Sequence, residues 1–205
     1  MAPSTLPRSF YARDGRVVAP ELLNKVLVHG GRAGRVVEVE AYAGEEDPGS
    51  HGYRGPTPRT MTIFGPPGHL YVYFTYGMHW CANVVCGRDG TCSAVLIRAL
   101  HPLAGLDEMR VARGRAGRRV TDLCSGPAKT CQALGLDGAH DGADLSSTDG
   151  PHLLDDDTAP PADPGRSTRV GLTSGAEHPW RWYVDGDPHV SKGRPSAPMP
   201  ESDAG

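Results

Sequence analysis

Glu38, Glu40 and Tyr42 alternate along VVEVEAY (Val36–Tyr42), so an extended chain puts two carboxylates and a phenol on one face. An acid in mid-strand normally faces water. Here the neighbours are hydrophobic, and a half-buried carboxylate beside a phenol can orient and deprotonate a water or steady a developing cation. Glu40, closest to Tyr42, is the first candidate; Glu38 is its rival, and spacing does not separate them. Arg98 lies inside the apolar run SAVLIRAL (Ser93–Leu100), where an unpaired guanidinium is costly. It reads equally well as a structural ion pair or as a functional residue, either a partner of Glu40 or a contact to a phosphate or a water.

Aromatic residues form the second group. LYVYFTYGM (Leu70–Met78) carries three tyrosines on and beside the tip of a hairpin. Taken singly, Tyr42, His51 and Tyr73 are ordinary core or loop residues. Taken together they suit a stacking box for a flat, electron-poor base, because stacking and cation–π attraction strengthen when the ring is cationic. Tyr76 falls at the turn, where burial is awkward. It is either a surface aromatic or a wedge that fills the gap left by an extruded nucleotide. Asn83 could hydrogen-bond a base edge or satisfy sheet backbone.

The elements that must hold these residues follow from punctuation and periodicity. Asp14 or a neighbour starts a short helix through Leu23, with Pro20 expected in its first turn. Val26–His29 and Arg35–Tyr42 read as strands, the second with Val37, Val39 and Ala41 on one face and Val36, Glu38, Glu40 and Tyr42 on the other. Ala43–Pro67 is a long Gly/Pro-rich loop, expected to be functional or mobile. Leu70–Thr75 and His79–Cys86 form the hairpin, and Ser93–Leu100 is a buried strand. Leu103–Arg113 is helical. Ser125-Gly126-Pro127 opens another helix, closed by Gly135. Asp137–Thr168 is mostly irregular, with room for short hidden strands; Arg169–Leu172 and Trp180–Val184 are the last strands. Residues 7–192 form one domain, and 193–205 are expected to be a disordered tail.

Composition narrows the class. A chain of 205 residues can bury a real core without disulfides or metal. No leader and no apolar run of membrane length is visible, which points to a cytoplasmic protein, nucleoid-associated if bacterial. The five cysteines are odd in number and lack CxxC spacing, so buried free thiols are expected rather than zinc. The scattered histidines also lack metal-ligand spacing. A net charge of −3 excludes coating nucleic acid by bulk electrostatics, although Arg110–Arg119 holds five arginines and no acid. The Asp- and Pro-rich segment 137–168 would be repulsive near a nucleic-acid backbone and is expected to face away from any such partner. Phosphate-loop, dinucleotide, HExxH and GxSxG motifs are absent. Lys129 invites a Schiff-base reading, but nothing nearby would lower its pKa.

The blocks VVEVEAYAGEED, RTMTIFGPPGHLYVYFTYGM, CANVV, LIRAL, GLDEMR, LCSGPAKTCQALG and RVG, with His51 between the first two, occur in one order from about Phe10 to Ser191. In them the chain resembles the alkyladenine (3-methyladenine) DNA glycosylase family. The resemblance implies an α+β fold: a single mixed domain around a curved antiparallel β-sheet, with a protruding β-hairpin. It implies a metal-free, cofactor-free, monofunctional glycosylase of base excision repair that acts as a monomer on double-stranded DNA containing damaged purines. By that resemblance Glu40 activates water, Arg98 helps position it and Val170 contributes through its backbone. Tyr42, His51 and Tyr73 wall the base pocket, Asn83 hinders guanine, and Tyr76 intercalates. A cationic base such as 3-methyladenine leaves without much protonation; neutral lesions such as hypoxanthine need an acid, for which His51 is a candidate. The competing class is a non-catalytic module that binds damaged nucleic acid, which needs the tyrosines but not Glu40 and Arg98. A more remote rival is a transferase acting on a nucleotide-like substrate, which would not need a protruding Tyr76.

Overall fold

The computed structural model describes residues 2–200. In chain order the elements are β1 (Ser4–Thr5), α1 (Arg8–Tyr11), α2 (Gly15–Leu22), β2 (Val26–His29), β3 (Arg32–Tyr42), β4 (Leu70–Thr75), β5 (His79–Val85), β6 (Ala94–Ala104), α3 (Leu106–Arg113), α4 (Val120–Leu123), α5 (Pro127–Leu134), β7 (His152–Asp155), β8 (Gly165–Ser167) and β9 (Arg181–Tyr183). The strands make one antiparallel sheet ordered β1-β7-β2-β3-β6-β5-β4, with β9 joining β3 and β8 joining β9. This is the expected α+β class, one curved sheet with a few helices and a hairpin at its end. No helix among the described residues is long and apolar enough to cross a membrane.

Strand alternation divides the sheet into a core face and a site face. Val39 and Ala41 of β3, Leu70 and Val72 of β4, Ala82 and Val84 of β5, and Val95 and Ile97 of β6 enter the main core. Val18, Ala19 and Leu22 of α2 and Cys131, Ala133 and Leu134 of α5 pack in the same core. The intervening residues, among them Glu40, Tyr71, Tyr73, Asn83 and Leu96, point the other way. There Ile63, Tyr71, Val85 and Ala94 form a second small cluster with Phe64, Tyr73 and Cys92.

The strict alternation expected of Val36–Tyr42 fails at its start. Val36, not Val37, joins Val39 and Ala41 in the core. The cause is a pair of bulges. The β3–β6 register runs Val36↔Leu100, Glu38↔Ala99, Val39↔Ile97, which leaves Val37 on one strand and Arg98 on the other without a direct partner. Each extra residue switches its strand's faces once. The bulge at Arg98 lets this side chain turn toward the acids of β3.

The helix ends follow their chemistry. Asp14 Oδ1 accepts the Arg16 N–H at 2.8 Å as the cap of α2. Pro20 lies in the last turn, not the first, and the helix stops two residues later. Pro127 opens α5, and Gly135, at φ 70°, closes it in the left-handed conformation. Helix α3 begins at Leu106 rather than Leu103, because β6 runs on to Ala104.

Two other expectations change. Arg169–Leu172 is not a strand; its one ladder contact is an isolated bridge from Val170 to Pro195. β7 and β8 are short strands of the kind for which segment 137–168 left room. Pro195–Ala197, read as part of a disordered tail, is packed: the Ser196 N–H donates to the Arg169 carbonyl at 2.8 Å and Ser196 Oγ accepts the Leu172 N–H at 2.9 Å. Of the expected tail, residues 201–205 lie outside the described residues. Four aspartates of the acidic segment are engaged within the protein. Asp144 pairs with Arg8, Asp155 with Lys25 and Asp156 with Arg35, while Asp141 accepts the Val72 N–H on the outer edge of β4. All five cysteines are free, and four are buried.

Candidate active site

Glu38 and Glu40 leave β3 on the same face, both fully buried, and their surroundings assign them different work. Glu38 accepts from Arg98 Nε at 2.7 Å, Arg181 Nε at 2.8 Å, Ser191 N at 2.7 Å and Ser191 Oγ at 2.8 Å. Burial disfavours its charge, but Arg98 and Arg181 outweigh that and hold its pKa below the usual carboxylate range. Four donors, two of them guanidinium groups, commit it to holding Arg98, Arg181 and Ser191 in place.

Glu40 is held more loosely. Its Oε1 accepts the Val170 N–H at 2.7 Å, and its Oε2 accepts from Tyr42 Oη at 2.9 Å and Arg98 Nη1 at 3.0 Å. Three donors occupy three of the roughly four acceptor positions of a carboxylate. One remains for a water. Burial works against the Arg98 cation, yet Glu40 and Glu38 together raise its pKa, so the guanidinium stays charged. Arg98 is therefore paired with both acids of β3, Glu38 through Nε and Glu40 through Nη1.

Tyr42, Arg98 and Val170, the partners of Glu40, line a cavity of about 220 Å³ together with His51, Tyr71, Tyr73, Asn83 and Leu96. The His51 ring meets Tyr73 edge-on, with centroids 4.4 Å apart and planes at 71°. Tyr71 and Tyr73 are near-parallel at 5.5 Å, and His51 Nδ1 lies 3.3 Å from Tyr71 Oη. Burial, reinforced by Arg59, lowers the His51 pKa, so its ring is neutral near pH 7. That removes the main reason for reading His51 as a proton donor. Burial drives the Tyr42 phenol far up, with Glu40 adding to it, so Tyr42 stays protonated and donates. Asn83 sits opposite Tyr71 across the hairpin and donates to its carbonyl at 3.3 Å.

Tyr76 stands at the mouth and is 81% exposed. Tyr76 and Gly77 both take positive φ, 51° and 66°, and the Met78 N–H closes the turn onto the Thr75 carbonyl at 3.2 Å. Two successive left-handed residues match the strand twist of a hairpin, at a cost of about 1–2 kcal/mol for a residue with a Cβ. The tyrosine is thus carried on a strained, outward-pointing tip beside Met78, itself 68% exposed.

The structure brings all eight sequence-derived residues to one place, and it adds others. Asp47 and Arg169, both 0% exposed, form a bidentate pair at 2.5 and 2.7 Å. Arg169 lies over the Tyr42 ring at 4.6 Å, and Asp47 also accepts the Ala43 and Gly49 N–H groups. This pair anchors the loop read as functional or mobile and fixes the approach to His51. Gly44, at φ 59°, lets the loop pass the Cys92 carbonyl, where a Cβ would collide. Tyr71 was detectable in sequence, since it shares its strand face with Tyr73. Arg181 and Ser191 were not, because their partner Glu38 is 143 and 153 positions away.

A carboxylate held by a cation, a peptide N–H and a phenol beside an aromatic cavity agrees with a sequence match spanning residues 9–188 to the Methylpurine-DNA glycosylase family. The chain belongs to that family. It is 58% identical over 190 residues, covering 92% of this chain and 91% of the relative, to a Burkholderia lata protein provisionally named a 3-methyladenine DNA glycosylase. Similarly named proteins of Carboxydothermus hydrogenoformans and Streptomyces avermitilis are each 46% identical, over 91% and 94% of this chain and 98% and 93% of their own lengths. The family match thus runs through most of the chain and includes the segments that supply Glu40 and the aromatic cavity.

Proposed function

We propose that this chain is a DNA repair glycosylase that hydrolyses the bond between an alkylated purine, of the 3-methyladenine type, and its deoxyribose. Tyr76 enters the base stack as the damaged nucleotide rotates outward, replacing lost stacking with its own ring. Tyr42, His51 and Tyr73 receive the base. An aromatic box with a neutral imidazole favours a cationic purine, because it attracts charge without repelling it. Asn83, held against the hairpin backbone, stands where an exocyclic amine on guanine would be crowded.

Glu40 takes a proton from a water whose oxygen attacks the sugar C1′, while the C1′–N bond breaks and its electrons leave with the base. A positively charged methylpurine departs neutral, so no acid is needed in that step. The sugar passes through an oxocarbenium-like state, which the Glu40 carboxylate steadies. Arg98 and the Val170 N–H keep Glu40 aimed.

The observation that carries this reading is the unsaturated, fully buried Glu40 behind an aromatic cavity. A module that only binds damage has no use for such a group. Incubation with a duplex bearing methylated purines, followed by chromatography of free base, tests the reading. Free methylpurine with a matching number of abasic sites is expected. Tight binding without release would favour the damage-binding module instead.

A further inference from the structure

The segment after β9 returns across the site face. The Ser191 N–H and hydroxyl hold Glu38, a Cβ at Gly193 would press on Val170 and Arg98, and Pro195 bridges Val170. At the start of this strap His189 and Asp187 meet His101, which lies on β6 three residues beyond Arg98. Asp187 Oδ1 is 2.9 Å from His189 Nδ1 and Oδ2 is 3.3 Å from His101 Nδ1. The two imidazoles lie 4.0 Å apart between centroids, tilted by 37°.

We propose that His101, Asp187 and His189 bind a divalent transition-metal ion of the zinc type, which clips the strap to β6. Their ligand atoms all lie within 4.8 Å of one another, and no other group of three or more among the described residues does this. Bond lengths of about 2.0–2.1 Å to a tetrahedral zinc place ligand atoms about 3.3 Å apart, close to the two N···O separations found. Two imidazoles and one carboxylate are a suitable donor set for zinc and its neighbours. The turn is already set, since Asp187 Oδ1 also accepts the His189 N–H at 2.8 Å and the Val190 N–H bonds the Asp187 carbonyl at 3.2 Å. The His189 side chain is 6% exposed and that of His101 44%, which leaves an outer side for a water as fourth ligand. The expectation that the histidines lack metal spacing fails because 86 and 88 residues separate His101 from its partners along the chain.

The ion does no chemistry on substrate. It fixes the strap two residues before Ser191, and so the support of Glu38 and Arg98. The full chain, dialysed free of metal, should take up one Co²⁺ with visible d–d absorption, and Zn²⁺ should displace it. Calorimetric affinity for Zn²⁺ should fall at least tenfold in His101→Gln, whose position is half-exposed, and in Asp187→Asn, which keeps the turn's acceptor. His51→Asn should bind as the wild type does, and Zn²⁺ should raise the melting temperature of wild type but not of His101→Gln. No stoichiometric uptake would overturn the proposal, leaving a hydrogen-bonded clasp. So would binding lost in His51→Asn yet kept in His101→Gln, which would put the ion in the base pocket.

Discussion

Replacing Glu38 by glutamine separates the supporting carboxylate from the reacting one. The shape is kept, but the charge between Arg98 and Arg181 disappears. Oε1 receives three of the four donors and Oε2 receives the Ser191 N–H. With the amide oxygen at Oε1, its NH₂ must face that N–H, donor against donor. Removing one partner of a buried ion pair costs about 3–5 kcal/mol. The low end applies, because Arg98 keeps Glu40 and Arg181 keeps Ser167 Oγ. About 3 kcal/mol lowers the melting temperature of a domain of this size by roughly 6–12 °C. Arg98 would also be freed to swing, and base release should fall by up to about 10²-fold, the scale of a misaligned reacting group. Calorimetry with single-turnover release measures both. The lowered Glu38 pKa adds a pH test. Its stabilisation is full above the unfolded carboxylate value of about 4.3 and is lost as pH falls through the lower folded value. Wild type should therefore lose more stability than Glu38→Gln on acidification below about pH 4. A melting change under about 2 °C, or parallel acid curves, would refute the reasoning.

Tyr76→Ala should leave stability within about 0.5 kcal/mol, since the ring is exposed, while binding of a damaged duplex weakens by the roughly 1–3 kcal/mol of one stacking contact; a fluorescent base analogue reports it, and an unchanged signal rejects the wedge. Asp47→Asn breaks the fully buried pair with Arg169 and should cost about 3–5 kcal/mol in urea unfolding; a loss under 1 kcal/mol would show that the loop is held by other contacts. His51 should titrate below its ordinary value of about 6.5 by NMR, and it destabilises the fold as pH drops from that value toward the folded pKa, where the unfolded chain binds the extra proton. A His51 pKa above 6.5 would reopen its role as an acid.

Much of the site could be read in the sequence because its residues sit on regular strands. Glu40 with Tyr42, and Tyr73 with the tip residue Tyr76, are placed by alternation and by a turn. The choice of Glu40 over Glu38 was not legible from spacing. It depends on the donors that each carboxylate meets, and those come from β9 and the strap after it. The bulges at Val37 and Arg98 escaped for a related reason. A one-residue insertion in each strand restores the pattern farther along, so alternation looks intact on both sides while Val36 and Val37 exchange faces. Arg169–Leu172 reads as a strand in the sequence, but Arg169 is spent on Asp47 and the backbone N–H of Val170 is turned toward Glu40. Pro195–Ala197 has the composition of a tail and is ordered only by contacts with Thr168, Arg169, Val170 and Leu172.

The central claim is that Glu40 activates the water that replaces the base. Its most direct test is single-turnover release of a methylated purine by Glu40→Gln, alongside binding of the same duplex. Tyr42 Oη can reverse its hydrogen bond to accept from the new amide, which then faces Arg98 Nη1; Arg98 keeps Glu38, and a melting curve run alongside checks that the variant is folded. The account expects release to fall by about 10²–10⁴-fold, the usual share of a general base, with affinity for the damaged duplex unchanged within tenfold. Release within tenfold of wild type would contradict it.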